Sequence, residues 1–327
     1  MSQPPAPPAG SPPPLTLEDS VRSDDRGRVF RARQGGRRRH LMWLLVGPGI
    51  LAMLGENDGP SMISYAADGA TYGIGLFVPF IVVLFAMSFV VQEMCMRIGA
   101  VTHRGYGELV LQRYGRVWGW FGAGDLVLTN LATLVSEFVA IRIGLAYFGL
   151  GPGVAVVLGL ALVLLTLSGG RYWRWERVVL GLAMFNGLFL VAAIMAGPHL
   201  GTLDLGALPH TSTNTLLLLL AATIGATVSP WMVFFQQSAS ADKGMTPADV
   251  GHGRLDTGLG AGLAALFGVG ALLAGSALAG HHGADIQGLS GAGFPGALRD
   301  VGGSALGTVF ALGLIEAGGV AILTISA

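Results

Sequence analysis

A single cysteine, Cys95, sits within an apolar stretch, so this chain has neither a disulfide framework nor a thiolate metal site. The residue is expected to serve as a small buried hydrophobe. Charge is scarce as well: Asp, Glu, Lys and Arg make up 12% of the 327 residues, against roughly 25% in soluble domains. That excludes the ordinary soluble globular class. Histidine is missing from the expected spans, since His40, His103, His199, His210, His252, His281 and His282 all fall in tail or loop sequence. There is no Walker loop, no H-E-x-x-H helix and no G-x-S-x-G elbow, which argues against an ATP-driven pump, an intramembrane hydrolase or any other enzyme. The formal net charge is zero, and no nucleic-acid partner is expected.

What the chain has is apolar length. Hydrophobic residues reach 52%, and the mean hydropathy is +0.63. Apolar stretches near or above the roughly 20 residues that cross a hydrocarbon core recur from Leu41 onward. The expectation is an all-α polytopic membrane protein, with the lipid bilayer as its solvent. The 52 glycines fit, because small residues let membrane helices approach closely.

Residues 1–40 are expected to form a disordered basic cytoplasmic tail, and residues 41–327 a transmembrane domain. The tail is rich in proline through Pro14 and then in arginine, from Arg22 to Arg39. It lacks the apolar core and cleavage site of a signal peptide, and its arginines suit anionic lipid. Spans are expected at 41–74, 76–98, 118–147, 153–168, 178–197, 215–238, 256–280 and 304–327. With the tail inside, the second, fourth and sixth connections carry Arg104, Arg113 and Arg116; Arg171, Arg174 and Arg177; and Lys243 and Arg254. The first three opposite loops contain no lysine or arginine, and the last has only Arg299. The positive-inside rule therefore supports a multi-pass cell-membrane protein with a cytoplasmic amino terminus.

Two spans are interrupted. The first reads Gly55-Glu56-Asn57-Asp58-Gly59-Pro60-Ser61 at its centre, and the sixth reads Gly225-Ala226-Thr227-Val228-Ser229-Pro230-Trp231. Glycine, proline and polar side chains at these points unwind a helix. Unwound backbone at membrane depth is tolerated only where protein or a wet cavity surrounds it, so the two breaks are expected to face each other. Discontinuous helices in corresponding positions of two halves point to a substrate site. A carboxylate there costs about 2.5 to 3.5 kcal/mol on insertion scales, a cost a bound cation offsets. Asp58 is the candidate ligand, with Glu56 left open as the alternative buried acid. The bland reading of Asp58 is a cap on the second half-helix. Glu93, Glu137 and Arg142 also fall within spans, where partnering between helices is the simplest expectation and a vestibule for the hydrated ion the sharper one, and Asp68 is expected near a solvated mouth.

The two broken motifs, together with Val91-Gln92 through Arg97-Ile98-Gly99, resemble the Nramp family of divalent-metal transporters over roughly residues 40–327. The resemblance implies a LeuT-type fold of two inverted five-helix repeats with helices 1 and 6 broken. In that family the breaks read Asp-Pro-Gly-Asn and Met-Pro-His; here they read Asp58-Gly59-Pro60-Ser61 and Ser229-Pro230-Trp231. The pattern is closest to the Nramp-related magnesium transporters. By carry-over, a divalent cation meets the Asp58 carboxylate and the carbonyls of Gly55 and Ala226, with Ser61 and Ser229 close by and Trp231 along the wall. Ser229 replaces a soft thioether, which removes the selection against Mg2+. Glu137 matches a glutamate of the family's proton route, but Leu134 stands where that route has an aspartate. The implied function is facilitated magnesium uptake, with manganese as a further cargo, without proton coupling and without a resident cofactor. The alternatives are a proton-coupled manganese or iron carrier, a LeuT-type amino-acid or organic-ion transporter, and a metal-binding protein that passes no ion. The resemblance implies ten helices and the chain ends within an eighth span, so a C-terminally incomplete fold is expected.

Overall fold

Without water to satisfy it, a chain in hydrocarbon must bond its own amides, and helices do so within a single segment. The computed structural model describes residues 27–36, 38–167, 172–197, 213–279 and 293–326, and every regular element among them is helical. Residues 27–34 form α1. There follow α2 (Arg38–Leu45), α3 (Pro48–Leu54), α4 (Gly59–Tyr72), α5 (Phe77–Thr102), α6 (Tyr106–Tyr114), α7 (Arg116–Tyr147) and α8 (Pro152–Leu167). The rest are α9 (Tyr172–Ala183), α10 (Gly187–Ala196), α11 (Thr213–Thr227), α12 (Pro230–Asp242), α13 (Val250–Gly275), α14 (Gly293–Gly302) and α15 (Ser304–Ile325). Among the described residues six helical stretches are long and apolar enough to cross a membrane, and Arg39–Leu54 and Pro152–Leu167 are shorter apolar helices.

Helix α13 organises the core. It packs against α3, α4, α5 and α10, while α15 packs against α7 and α10. Glycine makes the α4–α13 contact possible: a methyl built on Gly275 would stand 1.9 Å from the Ala66 carbonyl oxygen, and one on Gly69 would stand 2.0 Å from that of Leu272. Backbone therefore meets backbone, the close approach that small residues permit in membranes. The apolar core around this seam includes Met62, Phe85, Phe189, Phe267 and Phe310. Cys95 is buried, as a small hydrophobe should be.

Several boundaries differ from expectation. The stretch expected as a disordered tail includes α1, whose Val29 and Ala32 are buried with Leu44, Leu45, Met96, Ala100 and Met245. Arg33 anchors α1 through a 2.5 Å ion pair to Asp249. Residues 1–26, which hold the proline run, lie outside the described residues, as do the loops at 198–212 and 280–292. The first span has a second interruption at Val46-Gly47, where Gly47 takes φ 132°, a value that excludes most side chains. The fifth span starts earlier, at Tyr172, and contains a 3-10 turn at Met184–Asn186. Helix α13 begins before the expected 256, so His252 lies in its first turn with a ring nitrogen 3.1 Å from the Met42 carbonyl, and His40 lies in α2. Glu93 finds partners, as expected of a charge in a span: Arg97 at 2.6 Å and Arg254 at 3.1 Å.

A buried polar cluster secures the Val46-Gly47 interruption. Lys243 Nζ lies 2.8 Å from Glu176 Oε1 and donates to the carbonyls of Leu44 (3.2 Å) and Val46 (3.0 Å). Asp256 accepts from Gly47 N at 3.1 Å and from Gly49 N at 2.8 Å, which satisfies the first amides of α3. The Arg177 guanidinium stacks over Trp43 at 4.3 Å. Residues from α9, from α13 and from the end of α12 thus hold the start of α3.

Removing one member of a buried ion pair strands the other in a low-dielectric site. Lys243→Met is therefore expected to lower stability by about 3 to 5 kcal/mol. The double change Lys243→Met with Glu176→Leu should recover most of the loss. Thermal unfolding in detergent, compared across the three proteins, checks both outcomes.

Candidate metal site

The first break follows from local chemistry. Helix α3 ends at Leu54, and α4 begins at Gly59 with Pro60 in its first turn, where the missing amide is harmless. Asp58 is the N-cap: it is extended (φ −76°, ψ 169°), and its Oδ1 accepts from Ser61 N at 2.8 Å. The cap is thus present, and it uses one carboxylate oxygen. Asn57 turns away and donates from Nδ2 to the Ala264 carbonyl on α13 at 2.9 Å. At the second break α11 ends at Thr227, and α12 starts at Pro230 with Ser229 as an extended N-cap whose side chain makes no capping bond.

The two breaks face each other and are joined by side chains. Ser61 Oγ donates to the Ala226 carbonyl at 2.7 Å. Ser229 Oγ donates to Glu56 Oε2 at 3.0 Å. The Tyr65 hydroxyl lies 2.7 Å from Thr227 Oγ1 and 3.4 Å from the Ala226 carbonyl. Neither serine therefore makes the local helix-turn bond that is the ordinary use of serine. The indole of Trp231 packs on Gly55, so that a methyl there would lie 2.7 Å from the ring. From α7, Glu137 Oε2 accepts from Gly59 N at 3.2 Å, and its carboxyl group lies within hydrogen-bonding reach of Asp58.

Asp58, Gly55, Ser61, Ala226, Ser229, Trp231 and Glu137 thus meet at one junction. Asp58 is 6% exposed, and Glu56 and Glu137 are fully buried. The junction is rich in oxygen: three carboxylates, two serine hydroxyls and the carbonyls of two unwound segments. Among the described residues no group of three or more His, Cys, Asp or Glu is placed to hold a metal ion by itself. A cavity of about 320 Å³ lined by Tyr106, Trp118, Phe121, Asp125 and Phe234 reaches Pro230 but includes none of these carboxylates.

Two features departed from the sequence reading. Asp68, expected near a solvated mouth, is 1% exposed and accepts from Thr223 Oγ1 at 2.8 Å. Glu56 and Asp58, offered as alternatives, are both buried. The signal for a wider polar seam was available: Ser61, Tyr65 and Asp68 are spaced four and three apart on α4, and Thr223 and Thr227 four apart on α11. Such spacings place side chains on one helix face.

Broken helices that cross at a buried polar junction, within an all-helical membrane domain, define the LeuT-type architecture. The family model described as natural resistance-associated macrophage protein-like, Nramp, matches residues 49–327. The chain belongs to the Nramp family. It is 29% identical over 206 residues to a divalent metal cation transporter, MntH 1, of Pseudomonas aeruginosa, covering 60% of this chain and 46% of that one. It is 26% identical over 288 residues to MntH of Aeromonas hydrophila, covering 84% and 69%. In structure it is similar to the manganese transporter of Eremococcus coleocola crystallised with an aromatic bis-isothiourea compound: TM-score 0.65, 21% identity, 88% of this chain and 64% of the other. The chain spans about half the length of the Pseudomonas relative.

The contact between α4 and α7 sets where Glu137 meets the break. A methyl on Gly59 would lie 2.3 Å from Ala140 Cβ. Gly59→Ala is expected to destabilise the protein by about 1 to 3 kcal/mol through overpacking. Adding Ala140→Gly should restore most of it. Melting temperatures of both variants in detergent test the contact.

Proposed function

We propose that the protein moves a divalent metal cation across the cell membrane at the junction of its two helix breaks, that the cargo is Mg2+, and that no proton is coupled to it. The observation that carries this reading is the buried Asp58 carboxylate beside two facing interruptions that are joined by the Ser61 and Ser229 hydroxyls and the Glu56 carboxylate. In this reading Asp58, the carbonyls of Gly55 and Ala226, and the hydroxyls of Ser61 and Ser229 hold the ion, directly or through water. Trp231 forms a wall, and Glu137 draws the hydrated ion inward. Mg2+ sheds water reluctantly and is usually held by one or two carboxylates while keeping several waters. Hard oxygens alone give a transition metal no advantage from a soft donor. Among the described residues no histidine, the usual proton carrier near neutral pH, lines the junction. The arginine-rich amino terminus would lie on the cytoplasmic side, against anionic lipid.

A second reading, a proton-coupled manganese carrier, draws support from the relatives named as manganese transporters and from Glu137, which meets the break directly. An organic anion as substrate is disfavoured, because its carboxylate would face Asp58, Glu56 and Glu137.

Proteoliposomes loaded with a Mg2+-sensitive dye separate these readings. A potential of 100 mV, inside negative, contributes about 4.6 kcal/mol for a divalent ion, from about 2.3 per charge, and is expected to drive Mg2+ entry without acidifying the lumen. Asp58→Ala should abolish entry. Uptake that requires an imposed pH gradient, or that survives in Asp58→Ala, overturns the proposal.

A further inference from the structure

We infer that Glu56 is a second carboxylate of the cation site and, oriented by Ser229, sets its preference for a hydrated hard ion. The inference rests on the transport reading above and adds a residue that the carry-over from the family does not include. Three observations lead to it. Glu56 is fully buried, and its Oε2 accepts a bond from Ser229 Oγ across the two breaks. Its other oxygen, Oε1, is buried with no hydrogen-bond partner. Asp58, two residues away, is buried at the same junction, so a second carboxyl group lies beside the first.

A structural role alone does not account for this placement. Glu56 directly follows the carboxyl end of α3, where the helix dipole disfavours an anion. The amino end of α12, reached through Ser229, contributes only a modest favourable field. Desolvating a carboxylate costs several kcal/mol, and one neutral hydroxyl does not offset it. A glutamine would bond Ser229 equally well without that cost. A divalent cation changes the balance, since its charge acts on Asp58 and Glu56 together and its bound water supplies the donor that Oε1 lacks. A carboxylate that accepts from bound water favours the ion that keeps its water. Ser229 fixes the side chain so that Oε1, rather than Oε2, remains free for this purpose.

Titration calorimetry of Mg2+ and Mn2+ binding to the detergent-solubilised protein tests the inference. Glu56→Gln keeps the shape and the bond to Ser229 but removes the charge. It is expected to weaken Mg2+ binding by about 10- to 100-fold, the usual effect of losing an outer-shell partner, and to weaken Mn2+ binding less, so that the Mg2+ to Mn2+ preference falls. Unchanged Mg2+ affinity in Glu56→Gln, with binding lost in Asp58→Asn, overturns the role of Glu56 and leaves the transport reading intact. Binding that persists in Asp58→Asn overturns the transport reading instead. Should Glu56→Gln fail to fold, Ser229→Ala, at a half-buried position, decides: a reduced Mg2+ to Mn2+ preference supports the inference, and an unchanged one overturns it.

Discussion

The constraint on which this structure depends is that two helices are unwound in the middle of a membrane domain and every amide and carbonyl they release must find a partner there. Asp58 answers part of it by capping α4 at Ser61 N. Glu137 answers another part from a different helix, accepting from Gly59 N. Ser61 takes the Ala226 carbonyl at the end of α11, and Asn57 takes the Ala264 carbonyl on α13. The breaks thus draw partners from their own residues, from the other break and from a third helix. An unsatisfied amide in hydrocarbon costs several kcal/mol, so these contacts set where α3, α4, α11 and α12 cross. The site is a consequence of that requirement. Groups that neutralise freed backbone are polar, and polar groups gathered at membrane depth form a place where an ion can shed part of its hydration.

How much of this was legible beforehand varied with the range of the interactions. Both breaks were readable, because glycine, proline and polar residues act locally on helix geometry. The positions of α5, α7, α8 and α15 were readable to within a few residues from hydropathy. Asp68 was misjudged because its partner, Thr223, is 155 residues distant in sequence. The interruption at Val46-Gly47 went unnoticed because its neighbours are apolar, although Gly47-Pro48-Gly49 carried the signal. Helix α1 was hidden by its charge: its arginines suggest a solvated tail, while only Val29 and Ala32 reach the core. Helix α14 packs its buried Phe294 and Leu298 in a segment too short to read as a span.

The chemistry of the junction separates two questions that family resemblance joins. Family membership speaks for a broken-helix architecture, whereas cargo depends on donor atoms. Here the donors are carboxylates, hydroxyls and carbonyls, and Trp231 contributes a ring face against Gly55. In the proposed reading such a set holds a cation by charge and by acceptance of hydrogen bonds from its water. It offers no sulfur or nitrogen lone pair to reward a transition metal. In that reading the departures from the family motif bear on which ion the site prefers.

Helix α3 connects the site to the buried polar cluster at Val46-Gly47. It is seven residues long, only about two turns, and is held at both ends. At its start Asp256 binds Gly47 N and Gly49 N, and Lys243 binds the carbonyls just before it. At its end Gly55 lies against Trp231, and Glu56 reaches Ser229. Lys243, Trp231 and Ser229 all belong to α12 or its immediate flanks, so α3 and α12 are fastened together at two points about one short helix apart. Neither end of α3 can separate from α12 without breaking a buried polar contact. A displacement that moved α3 away from α12 would strand Lys243 and Glu56, and one that moved α3 and α12 together would still have to carry α9 and α13 with them, since Glu176 and Asp256 belong to those helices. The energetics of buried charge therefore tie α3 and α12 to each other and to α9 and α13, so that the start of α3 is the fixed end of the first broken helix.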